Sequence, residues 1–102
     1  MMNEPWQRLP ALSLKQLQYF VTLAQLRHFT DTASRLAISQ PALSSYINKL
    51  EEELGVQLFH RSRYHIVLTE EGMLLRRRAQ ELVDLADRTA REFTMRETEL
   101  MG

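Results

Sequence analysis

The sequence predicts a mainly α domain: three short helices and a two-stranded ribbon, followed by one long helix. Three observations carry that reading. Between Leu14 and Leu54 apolar residues recur at helical spacing in separate runs divided by polar breaks. After Gly55 the stretch VQLFHRSRYHIVLT sets two short apolar segments on either side of a polar tip, the pattern of a hairpin. From Thr69 onward no proline occurs, and a single apolar stripe persists to Phe93.

A chain of 102 residues is one domain at most, with room for a small helical core. Its hydrophobic content of 44% and charged content of 25% are those of a soluble globular protein. No apolar run is long enough to span a membrane. Glu4, Pro5, Arg8 and Pro10 interrupt the opening stretch where an export signal needs an apolar core, so a cytoplasmic location is expected. Without cysteine there is neither a disulfide frame nor a thiolate metal site. His28, His60 and His65 have no metal-ligand or catalytic spacing, so neither a cofactor nor an enzyme is expected.

Residues 1–12, with Trp6 and two prolines but no period, read as a flexible arm. Ser13 is an N-cap for a first helix from Leu14 to about Leu26, whose face Leu14, Leu17, Phe20, Val21 and Ala24 is scaffold. Thr30 is expected to cap the second helix, with Phe29, Ala33, Leu36 and Ala37 inward. Thr30 and Thr32 suit either capping or phosphate contact, and Arg35 suits either a phosphate or solvent.

The third helix organises the rest. Ser39 is its N-cap and Pro41 falls in its first turn, where a missing N–H costs nothing. Leu43, Ile47, Leu50 and Leu54 form a buried stripe. Gln40, Ser44 and Asn48 lie one above another on the opposite face, with Ser45 and Lys49 beside them, and no acid precedes Glu51. Short side chains that donate and accept, free of carboxylates, suit a helix entering a DNA major groove. An ordinary helical hairpin gives the same pattern.

The string SQPALSSYINKLEEELGVQLFHR decides between them, because it resembles the LysR-type transcriptional regulators. Ser39 to Ser44 match the family's Ser-Gln-Pro-Ala-Leu-Ser, and Leu50, Glu51, Leu54, Gly55, Leu58, Phe59 and Arg61 match the segment that follows. The resemblance implies a winged helix-turn-helix over residues 13–69 and a linker helix over 70–102 that pairs two subunits. It also implies sequence-specific binding of double-stranded operator DNA as a homodimer on an interrupted palindrome. In the family a larger C-terminal domain binds a small-molecule inducer; that domain is expected to be absent here, making this chain a fragment.

Arg61 and Arg63 on the wing are candidates for phosphate or minor-groove contact, against a solvated tip at Ser62 to His65. The sequence departs from the family at Arg27-His28, where Gly-Ser is common, at Ser45 and Tyr46, where Arg and Gln are frequent, and at Tyr64, often arginine. Tyr46 is expected either to read bases or to pack along the helix flank. The candidate DNA contacts are thus Thr30, Thr32, Arg35, Ser39, Gln40, Pro41, Ser44, Ser45, Tyr46, Asn48, Lys49, Arg61 and Arg63.

Glu70 and Glu71 favour a helix start after Thr69, and the helix runs to Thr94 or beyond. Leu75, Ala79, Leu82, Ala86 and Phe93 fit a heptad seam for a second subunit; folding back on its own domain is the alternative. Formal net charge is zero, but residues 14–69 hold six bases against four acids, three of the acids at the end of the third helix. A winged-helix module that binds another protein is the competing function.

Overall fold

The computed structural model describes residues 12–62 and 65–101, side chains through residue 96. The expected arm, with Trp6, and the wing-tip residues Arg63 and Tyr64 therefore lie outside the described residues, apart from Leu12. In chain order the elements are α1 (Leu14–Leu26), α2 (Phe29–Leu36), α3 (Gln40–Leu54), β1 (Phe59–Arg61), β2 (Ile66–Leu68) and α4 (Glu70–Met101).

Each helix starts where a side chain can satisfy early backbone amides. Ser13 and Gln16 form a reciprocal capping box on α1. The start of α2 differs from the expectation at Thr30: His28 is the N-cap, and its Nδ1 accepts from the Asp31 amide at 3.2 Å. An imidazole nitrogen can do the work of a cap hydroxyl, so the helix begins one residue before Thr30 and frees that side chain. Ser39 caps α3 through the Ala42 amide. Arg27, Ala37 and Gly55 end the first three helices in the left-handed region, at φ 57°, 58° and 69°.

The core forms where α1, α3 and β1 meet. Phe20 and Leu23 from α1 pack with Leu43, Ile47 and Leu50 from α3, and with Leu58 and Phe59 at the wing. The Phe20 and Phe59 rings lie 5.4 Å apart, tilted by 51°. Each such buried side chain contributes roughly 1.5–3 kcal/mol. The wing is an antiparallel pair with Phe59 opposite Leu68 and Arg61 opposite Ile66.

Thr69 stitches the wing to α4. Its amide donates to the Leu58 carbonyl, its hydroxyl donates to the Gln57 carbonyl at 2.7 Å, and the same oxygen accepts from the Gly72 amide at 2.9 Å. Gly72 is what lets the helix come this close: a Cβ there would collide with the Leu58 carbonyl oxygen and crowd a Leu68 methyl.

Helix α4 packs its first half on α1, which corrects the expected seam. Ala79 is fully buried in the domain's own core and Leu75 packs against it. Ala79 is therefore closed to a second subunit, whereas Leu75 is only half-buried. Beyond them the stripe is open: Leu82 is 46% and Phe93 66% exposed, and Leu85, outside the expected seam, is 54% exposed. Ala86 is half-buried. No helix among the described residues is long and apolar enough to cross a membrane.

Two substitutions should move stability in opposite directions. Gly72→Ala should cost about 2 kcal/mol or more, because backbone cannot yield to the new methyl. The Thr32 hydroxyl is buried without a hydrogen-bond partner among the described residues, so Thr32→Val should add about 1 kcal/mol. Urea midpoints read both; a lower midpoint for Thr32→Val would mean the hydroxyl is satisfied after all.

Candidate nucleic-acid interface

The orientation of α3 follows from burial. With Leu43, Ile47 and Leu50 fully buried, the 100° advance per residue fixes which side chains lie opposite. Pro41, Ser45, Asn48 and Lys49 are exposed on that outer line, while Ser44 sits at its edge and is half-buried. Ser39 and Gln40 are exposed at the helix start. The outward surface therefore centres on Pro41, Ser45 and Asn48 rather than on Ser44.

Tyr46 is withdrawn from this surface. Its ring meets that of Tyr19 edge to face, with centroids 4.9 Å apart, so it packs along the flank of α3 against α1. Thr32 is buried completely and has no path to a phosphate. Its expected role as a contact is overturned, because the inner face of α2 rotates it into the core beside Ala33. Thr30 and Arg35 remain exposed. Across the turn, the Thr30 hydroxyl donates to Gln40 Oε1 at 3.2 Å, joining the first turns of α2 and α3.

The acids that follow the polar surface are not equivalent. Glu52 and Glu53 are exposed, whereas Glu51 is the joint between α3 and the wing. One of its oxygens accepts from the Leu58 amide at 2.8 Å; the other accepts from the Arg61 guanidinium at 3.1 Å. The same guanidinium nitrogen also reaches Asn48 Oδ1 at 3.3 Å, and the group lies over the Phe29 ring, 5.4 Å from its centroid. Arg61, expected as a cation on the ribbon, is held across α2, α3 and β1. Part of its charge is met within the domain, by Glu51.

Ser62 and His65 close the wing through the Ser62 amide donating to the His65 carbonyl at 2.9 Å and the His65 amide donating to Ser62 Oγ at 3.1 Å. Arg63 lies between them, outside the described residues. On α4 an ion pair joins Asp87 and Arg91 at 2.7 Å, one turn apart. Among the described residues no group of three or more His, Cys, Asp or Glu side chains is placed to hold a metal.

Three helices with a two-stranded wing, the third helix showing a polar, acid-free first half, define a winged helix-turn-helix. Residues 14–73 match the model for the bacterial regulatory helix-turn-helix proteins of the lysR family, and the chain belongs to that family. It is 45% identical over 76 residues to the HTH-type transcriptional regulator BudR of Klebsiella aerogenes, covering 74% of this chain and 53% of BudR. Among solved structures, a full-length OxyR variant from Pseudomonas aeruginosa superposes with a TM-score of 0.75 at 42% identity, over 82% of this chain and 28% of that one. BenM_DBD in complex with catB site 1 DNA superposes at 0.79 with 36% identity, over 82% and 93% of the two chains. The present chain thus spans about half the length of BudR.

The Glu51 joint has a measurable signature. Glu51→Ala should cost about 1–3 kcal/mol, chiefly through the stranded Leu58 amide. Arg61→Ala should cost less, and in a double-mutant cycle the two should couple by about 0.5–1 kcal/mol, since the pair is partly exposed. Additive losses in denaturant melts would show that the ion pair contributes nothing.

Proposed function

We propose that this chain is the sequence-specific DNA-binding part of a transcriptional regulator, acting as a homodimer on an interrupted palindrome in the cytoplasm, with no catalytic activity. The observation that carries this reading is the outward first half of α3: Gln40, Pro41, Ser45, Asn48 and Lys49 are exposed together with no carboxylate among them. Donor and acceptor side chains there suit major-groove edges, and Lys49 and Arg35 suit phosphates. The BenM_DBD structure, solved on DNA, supports it. In the two-fold assembly, the recognition helices would enter successive major grooves roughly 34 Å apart.

For the pairing surface we propose the part of α4 beyond its contact with α1. Leu82, Leu85 and Phe93 are exposed there, with Ala86 beside them, and an open apolar stripe on a single long helix calls for a cover. In a longer regulator of this family, the DNA-binding part would be joined to a domain that binds a small-molecule inducer.

Selection from a randomised duplex pool at two salt concentrations tests the proposal. Enrichment of a two-fold-symmetric site is expected, with a log–log salt slope of about −0.9 for each phosphate neutralised. Salt-insensitive association with proteins and none with DNA would favour a protein-interaction module instead. Leu85→Asp should convert a dimer to a monomer in sedimentation and lower affinity for the selected site at least tenfold.

A further inference from the structure

The structure assigns Thr30 a role in sequence discrimination: its hydroxyl fixes the rotation of the Gln40 amide, so that Gln40 meets DNA as a hydrogen-bond donor. This rests on the proposal that the first half of α3 faces the major groove.

Because His28 caps the start of α2, Thr30 is not needed as its N-cap and stands exposed on the first turn. Ala37, at φ 58°, and the Ile38 amide, which donates to the Ala33 carbonyl at 3.0 Å, turn the chain tightly between the two helices. That turn brings the start of α3 to the start of α2. The Thr30 hydroxyl then donates to Gln40 Oε1 at 3.2 Å. A glutamine amide has one acceptor oxygen and one nitrogen with two N–H donors. With the oxygen turned back to Thr30, the nitrogen is the end left for a partner outside the domain.

The consequence is chemical. In the major groove guanine offers N7 and O6, two acceptors, thymine offers O4 and adenine offers N7 beside its N6 amino donor, whereas cytosine offers only its N4 amino donor. An amide held nitrogen-outward favours guanine, with its two acceptors, can still donate to the single acceptor of thymine or adenine, and rejects cytosine. A glutamine free to rotate can offer either end, and can pair with adenine through both. Thr30 is therefore a positioning residue, and Gln40 the group that touches the base. The hydrogen bond is exposed in the free protein and gains weight when the groove excludes water.

Selection from a randomised duplex pool by the unaltered chain, Thr30→Val and Thr30→Ser, each also in a Gln40→Ala background, separates the outcomes. The unaltered chain is expected to favour guanine and exclude cytosine at one position per half-site, and Gln40→Ala identifies that position by losing the preference. Thr30→Val keeps the shape but loses the hydroxyl; it should relax discrimination at that position alone, by roughly three- to tenfold. Thr30→Ser should restore it, and in the Gln40→Ala background Thr30→Val should change nothing further. An unchanged profile for Thr30→Val overturns the assignment. So does a uniform loss of affinity that persists without Gln40, which would make Thr30 a phosphate contact. No enrichment by the unaltered chain would sink the DNA-reading proposal itself, and this one with it.

Discussion

The burial of Leu43, Ile47 and Leu50 on one side of α3 is the constraint on which the rest of the molecule depends. It fixes the rotation of that helix against Phe20 and Leu23 of α1, and a helix whose rotation is fixed has no choice about what it shows to solvent. A slip of one residue would turn the outer line by 100°, bringing Tyr46 toward solvent and Ser44 into the core. The polar surface is thus a consequence of packing. The residues that would read DNA need not be held by many contacts of their own.

Around that fixed helix, two small polar joints set the position of its neighbours. Glu51 ties the far half of α3 to the wing through the Leu58 amide and Arg61, while Thr30 ties the near end to α2 through Gln40. A carboxylate placed after the third turn is far enough from the helix start to spare a phosphate-facing surface, yet near enough to hold the ribbon. The wing is further clamped from below by Thr69 and by the close approach at Gly72. A two-stranded hairpin is at best marginally stable alone, and here it is stabilised from both ends.

Much of this was legible in the sequence, because the signals are local. Ser39, Pro41 and Gly55 mark the ends of α3 by capping chemistry, and its bounds, Gln40–Leu54, fall where those residues place them. Ser13, Thr69 and the alternation after Gly55 mark the other elements in the same way. What could not be read depends on which surfaces meet. The heptad pattern of α4 is as good a fit to the domain's own core as to a second subunit, and Ala79 is buried in that core while Leu75 packs half-buried against it. Thr32 looks like any exposed threonine near a helix start until the inner face of α2 is set. Glu51 and Arg61 stand ten residues apart, so their pairing arises only when the wing folds back. His28 carries no such local signal, because imidazole is uncommon as an N-cap.

The orientation of α3 is the central claim, and the absence of cysteine from the chain allows it to be tested directly. Single thiols introduced as Ser45→Cys on the outer line of α3 and Gln80→Cys on the exposed side of α4 can be alkylated with and without excess duplex DNA at low salt. The account predicts that DNA slows modification at position 45 by at least tenfold and leaves position 80 unchanged. Equal rates at position 45 with saturating DNA bound would contradict it, since the face opposite Leu43, Ile47 and Leu50 would then not be the one that meets the duplex.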